Sequence, residues 1–394
     1  MITLADESSG RASGAGAKIK VVGVGGCGCN AINNLVKKGI TNVELIAVNT
    51  DIQSLSECRA QIKIQAGKNL TKGLGAGAKP EVGQKAVEEV SDEIAKFIEG
   101  SDLVFVTAGM GKGTGTGGAP VVAKIAKSLD ALVIGLVYTP FDYEGSIRAR
   151  IAEEGLKKLR ESVDTLIVIS NQKLLMLAGN NEILSAIEYG NEVLNNAVRG
   201  ITDIITKPGI INVDFNDVKT IMRDMGDALL GTGVGRGEHR ATEASQKAIS
   251  NPLVEGLSIV GAKGVLINIV GNKVTLKEID DAIKVITEKT GEEINLIYGV
   301  VLDDSMNDEL MVTVIATGLG STIYPTPKTP PHGTKKVISV YDSDEKSSQV
   351  EKNLRVPAYL RKGVIISENK SATRIEGNIA EEDDKPSFLK QVID

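Results

Sequence analysis

The sequence predicts an α/β protein: a parallel-sheet domain joined by a central helix to a smaller α/β domain, with a disordered C-terminal tail. Two patterns carry this reading. Short β-branched runs, apolar on both faces, alternate with amphipathic stretches from residue 18 onward, as strands buried between two helical layers must. Past residue 320 the alternation stops, prolines and charges take over, and the apolar area a core needs is gone.

Strands are expected at 18–24 (KIKVVGV), 43–48, 102–108, 131–138 and 165–170. Within 82–99, Ala86, Val87, Val90, Ile94 and Ile98 recur three or four apart, one face of a helix. These elements bound a first domain at 18–178, behind a flexible segment 1–17. A helical pattern at about 182–206 ends at Lys207-Pro208-Gly209, where proline and glycine both oppose continuation, so the central helix and its connection take 179–209. The second domain, 210–320, reads as helices at 215–227 and 240–250, strands at 264–270, 294–303 and 310–317, and a helix over KEIDDAIKVITEKTG. Residues 321–352, with Pro325, Pro327, Pro330 and Pro331, form a linker. NLRVPAYLRKG at 353–363 is an island of apolar and basic residues that could equally be chance composition or a peptide ordering on a partner; 364–394 is an acidic tail.

Composition excludes several function classes. The 394 residues carry 45 Lys+Arg against 51 Asp+Glu, a net charge of −6, without the cationic footprint of a nucleic-acid binder. Cys27, Cys29 and Cys58 are too few for a disulfide framework and suit a reducing cytosol. The first twenty residues lack the apolar core of a secretion signal, and no run reaches the roughly 18 apolar residues that cross a bilayer, so direct membrane insertion is not expected.

The 43 glycines cluster where strands give way to helices. Gly23-Val24-Gly25-Gly26-Cys27-Gly28-Cys29-Asn30 follows the first strand and opens a helix, so its backbone N–H groups could approach a phosphate. Alone it also fits a dinucleotide site, whose acidic ribose ligand would lie about twenty residues on, where Asn49-Thr50-Asp51 ends the second strand. A second loop, Ala108 to Gly118, carries Gly111-Lys112-Gly113-Thr114-Gly115-Thr116-Gly117 between the 102–108 strand and a further helical run. Two such cradles on neighbouring strands exceed what one pyrophosphate needs. A third, Thr71 to Gly77, could close over a terminal phosphate. No G-x-x-x-x-G-K-[ST] P-loop occurs. Asp214 and Asp217, three apart at a helix start, share a face; they are either first-turn caps or a pair able to orient water beside a phosphate and help organise Mg²⁺.

The GMGKGTGTG run resembles the signature loop of the tubulin/FtsZ GTPases. GVGGCGCNA, TKGLGAGAKPEVG, TPFDYEG, VDTLIVISNQKLL and INVDFNDVKTIM extend the likeness to the bacterial cell-division branch of that family over about Lys18 to Gly318. The resemblance implies a cytoplasmic GTPase at the midcell division site that polymerises head to tail into the cytokinetic ring, binds GTP/GDP with Mg²⁺, and meets membrane-tethering and regulatory proteins through 353–363. It places Gly25, Gly26, Cys27, Asn30, Gly111, Lys112, Gly113, Thr114, Gly115, Thr116, Gly117 and Asn171 along the nucleotide. Ala76 and Gly77 would face the γ-phosphate, and Glu144 and Arg148 would hold ribose and phosphate. Asp214 and Asp217 become catalytic, acting on the neighbouring subunit's GTP. A nicotinamide-dependent oxidoreductase using the first loop is the alternative.

Three features depart from the family pattern. Lys112 stands where glycine is usual, at a cost of about 1 kcal/mol if its φ is positive but with an ammonium that could contact phosphate. Ile187 and Asn191 replace a phenylalanine and an aspartate of the guanine pocket; an amide offers one acceptor oxygen where a carboxylate offers two, which predicts weaker guanine selectivity. About thirty residues follow the 353–363 island.

Overall fold

The computed structural model describes residues 16–178, 183–207, 209–250, 259–291 and 294–319, with the side chains of 175–189 excepted. The expected linker, the 353–363 peptide and the tail lie outside the described residues. Among the described residues ten strands form one sheet: β1 (Ile19–Val24), β2 (Glu44–Asn49), β3 (Ile62–Gln65), β4 (Leu103–Gly109), β5 (Leu132–Thr139), β6 (Thr165–Ser170), β7 (Gly226–Arg236), β8 (Gly264–Gly271), β9 (Asn295–Leu302) and β10 (Glu309–Thr317). Their order is β3-β2-β1-β4-β5-β6-β7-β10-β8-β9. Pairing is parallel from β3 through β7 and again between β8 and β9, while β10 runs antiparallel to both its neighbours.

The helices in chain order are α1 (Gly25–Lys37), α2 (Ile52–Glu57), α3 (Lys68–Thr71), α4 (Pro80–Glu88), α5 (Ser91–Ile98), α6 (Thr114–Ser128), α7 (Ser146–Arg160), α8 (Asn171–Ala178), α9 (Ile183–Thr206), α10 (Phe215–Met222), α11 (Arg240–Ile249) and α12 (Leu276–Thr290). Alternate residues of β1 and β4 bury on opposite faces. Val21 and Phe105 join Ile32 and Leu35 of α1 and Leu194, Val198 and Ile201 of α9. On the other face Val22, Val104 and Val106 meet Ala86, Ile94, Val122 and Ala126 from α4, α5 and α6. A third core packs α11 and α12 onto β8 and β10. Among the described residues no helix is long and apolar enough to cross a membrane.

The structure departs from the periodicity reading in three places. The expected helix over 82–99 is two, broken at Val90, whose φ of −116° and ψ of 21° leave the helical region. The helix expected over 215–227 stops at Met222, because Arg223 is extended and Asp224 turns left-handed with φ 54°. β7 then occupies Gly226–Arg236, where glycines dilute the apolar alternation that marks strands. Those glycines have a packing reason: a Cβ at Gly231, Gly233 or Gly235 would collide with the carbonyls of Ala248, Ala244 or Arg240, so α11 lies directly on the strand backbone.

Candidate functional site

Helix starts leave backbone N–H groups without intrahelical partners, and a polar side chain usually takes one of them. Asp51 does so for α2, Asp214 for α10 and Thr275 for α12. Neither α1 nor α6 has a side-chain cap or an acidic residue in its first turn. α1 follows β1 at once and α6 follows β4 after the four residues 110–113, and the two strands are paired, so two uncapped N-termini open side by side. Together they make an anion cradle. The loops touch: Gly25 has φ 73°, and a Cβ there would sit 2.9 Å from the Gly115 nitrogen.

These termini line a cleft of about 540 Å³. Of the residues expected there, Gly25, Gly26, Cys27 and Asn30 line it from the first loop, and Lys112, Gly113, Thr114 and Gly115 from the second. Ala76, Glu144, Asn171 and Asn191 line it as well. Gly111, Thr116, Gly117, Gly77 and Arg148 do not. Gly111 supplies the left-handed turn, with φ 92°. Thr116 is buried, and its Oγ1 accepts hydrogen bonds from the backbone N–H of Gly111 (3.0 Å) and of Lys112 (3.1 Å), holding the loop from behind. Gly117 packs on α4, where a Cβ would strike the Pro80 carbonyl. Gly77 is exposed. Arg148 reaches the site through Glu144, which it pairs with while Glu144 Oε1 accepts the Phe141 N–H at 3.2 Å. The side chain of Ile187 lies outside the described residues. Asp214 and Asp217 are exposed and do not line this cleft; Asp214 Oδ1 accepts the Asp217 N–H at 2.9 Å.

Lys112 is the single cationic side chain among the described residues lining the cleft, against the carboxylates of Asp51 and Glu144. Its own backbone is not left-handed, so the strain allowed for in the sequence reading does not arise. Burial pushes the Cys27 thiol up to about 11, and the Lys112 charge pulls the other way, which puts the ammonium's field across the gap between the two loops.

Other residues line the cleft too: Asn49 and Asp51 at the end of β2, which the sequence reading weighed only for a dinucleotide site, and Tyr138, Pro140 and Phe141 at and after the end of β5, which it did not single out. Asn-Thr-Asp at a strand end was a visible signal. Thr50 between them hydrogen-bonds Thr114 hydroxyl to hydroxyl at 2.6 Å, which fixes β2 to the second loop. A further hollow beside Gly237, Asn272 and Asp308 is another matter. The Arg240 guanidinium in it is taken up by Glu278 (2.6 Å) and the Asn272 carbonyl (3.0 Å).

Fold and cleft together define a nucleotide-binding protein that grips phosphates with glycine loops at two helix N-termini. Residues 18–179 match the Tubulin/FtsZ family, GTPase domain, and residues 226–320 match the FtsZ family, C-terminal domain. An empty FtsZ dimer from M. jannaschii is 42% identical over 78% of this chain and 90% of that one, with TM-score 0.74. A point mutant of FtsZ from the same organism is 43% identical over 79% and 94%, with TM-score 0.75. The chain belongs to the FtsZ family of tubulin-related GTPases. It binds GTP and GDP and hydrolyses GTP. The GDP-bound CetZ1 monomer of Haloferax volcanii, 24% identical over 77% of this chain and 95% of that one with TM-score 0.67, shares the fold. None of these matches supports the oxidoreductase alternative, and none carries the bacterial setting that the motifs suggested.

Proposed function

We propose that this chain is a cytoskeletal GTPase that assembles head to tail, each subunit lending Asp214 and Asp217 to the GTP site of the next. The filaments would form the cytokinetic ring at the midcell division site, in the cytoplasm. One observation carries the reading. Both carboxylates that line the cleft are committed, Asp51 to the N–H groups of Gln53 and Ser54 and Glu144 to Arg148 and the Phe141 N–H. The exposed acidic pair lies elsewhere. Asn191 lines the cleft from α9, the fifteen residues from there to Thr206 span about 22 Å, and Asp214 follows beyond that end. Leu74, Tyr143 and Ile147, the last in the first turn of α7, are exposed beside cleft-lining residues, and Ile210, before the acidic pair, and Leu302, at the end of β9, are exposed as well. Two unlike apolar surfaces suit a heterologous contact, which propagates into a filament. The solved relatives include an FtsZ dimer and a CetZ2 protofilament.

In the assembled site the uncapped N–H groups and Lys112 hold the phosphates. Asp214 fixes the first turn of α10 through Oδ1, and with Asp217 it supplies the carboxylates that orient the attacking water. Among the described residues no three ligating side chains converge. Mg²⁺, which keeps several waters and binds through substrate phosphates with one or two carboxylates, would sit among the phosphates and help neutralise their charge.

Sedimentation with GTP against GDP tests assembly: pelleting with GTP alone is expected, and no pellet with either would refute it. Lys112→Gln should weaken GTP binding about tenfold, the loss of one charge-assisted contact; titration calorimetry showing parent affinity would remove Lys112 from phosphate binding. Deleting 353–363 should leave pelleting intact and abolish recruitment to a membrane-tethering partner, whereas loss of pelleting would make the segment part of the polymer.

A further inference from the structure

Two turns in the fold share an unusual choice. α6 ends at Ser128 and α10 at Met222, and each is followed by an aspartate in the left-handed region, Asp130 with φ 59° and Asp224 with φ 54°. Glycine takes that conformation freely, while aspartate, though it enters it more readily than most L side chains, still carries some strain there. Each aspartate faces a cation from the other helix end. Asp130 Oδ1 accepts from Arg223 at 2.7 Å, with Lys219 Nζ 3.9 Å from Oδ2. Asp224 Oδ1 accepts from Lys127 at 2.7 Å. The exchange is reciprocal, so each helix gives one anion and receives one.

The clasp is anchored in the core. Lys127 also reaches Asp164, 3.1 Å away and 2% exposed, whose other oxygen accepts the Val133 N–H at 2.8 Å. The last carbonyls of α10 are held by buried hydroxyls, Ile221 by Thr317 (2.8 Å) and Met222 by Thr165 (2.5 Å). The Arg223 guanidinium holds the Asp130 carboxyl below its usual range, and Lys127 does the same for Asp224, so both anions stay charged near neutral pH.

What the clasp joins gives it meaning. α6 begins at Thr114 in the phosphate loop, about 22 Å from its far end, and α10 begins beside Asp214 and Asp217, about 12 Å from its own. We infer that Asp130 and Asp224 are positioning residues that tie the helix on a subunit's own phosphate loop to the helix presenting its carboxylates to the next subunit. The inference rests on the proposed role of Asp214 and Asp217 in trans. The backbone strain is the cost, and a fixed α10 is what it secures.

Asparagine tolerates the left-handed region, so Asp130→Asn/Asp224→Asn removes both anions and keeps both turns. In the full chain this pair should lower maximal GTP turnover in the assembled state about fivefold, as loss of two largely exposed ion pairs implies, with GTP affinity within about twofold of the parent. The pair Asp130→Gly/Asp224→Gly relieves the strain as well and should melt no lower than the asparagine pair, yet turn GTP over as slowly. A purely structural clasp predicts that turnover tracks melting temperature, and that result would overturn the inference. So would parent turnover in the asparagine pair. Asp217→Ala, run alongside, separates the two readings: parent turnover in that variant strikes at the catalytic role and leaves the clasp without a target.

Discussion

Asp217→Ala should bind GTP with parent affinity, still pellet with it, and hydrolyse it at least about a hundredfold more slowly, the scale of a lost water-orienting carboxylate. Binding is spared because the glycine loops, Lys112 and the Glu144–Arg148 pair are untouched and Asp217 does not line its own subunit's cleft. Asp217→Asn should behave alike, since an amide keeps the size and loses the charge. Asp214→Ala should act through α10, because Asp214 Oδ1 holds the first-turn N–H; it removes a cap worth about 1 kcal/mol. Measuring phosphate release together with sedimentation separates turnover from assembly. Parent turnover in Asp217→Ala would remove that residue from the chemistry.

Gly25→Ala should abolish tight GTP binding. The alanine must adopt φ 73°, with its Cβ 2.9 Å from the Gly115 nitrogen and 3.3 Å from Thr114 Cβ. Left-handed strain together with a forced separation of the two loops costs about 3 kcal/mol, a hundredfold or more in affinity when it falls on the cradle. Calorimetric titration with GTP reads the affinity and a thermal melt reads the fold. A cooperative, somewhat lowered melt with lost binding is the expected combination. Normal binding would mean the loops do not act as one cradle.

Much of this was legible in the sequence because glycine carries its own signal. The two loops at 23–30 and 108–118 could be read as phosphate cradles, since few other needs place so many glycines between a strand and a helix. The same residue hid β7: Gly231, Gly233 and Gly235 are there for the close approach of α11, and a strand stripped of side chains has no alternation to read. Thr116 shows a different limit. Its place in the loop predicted a nucleotide contact, yet its hydroxyl faces the loop's own N–H groups, a direction that spacing does not encode. Arg148 and Glu144 are four apart on a helical spacing that announces their pairing, but not that Glu144 also holds the Phe141 N–H. The clasp of Asp130 and Asp224 was out of reach altogether, because residues 94 apart in sequence meet only where the fold brings the C-terminal ends of α6 and α10 together.

The central claim, that one subunit's carboxylates act on its neighbour's GTP, is tested most directly by GTP turnover per subunit across a wide range of protein concentration. A shared site predicts near-zero specific activity below an assembly threshold and a steep rise above it, with bound GTP still measurable on the isolated subunit. Specific activity that stays constant down to concentrations far below the threshold would contradict it and place all the catalytic groups within one chain.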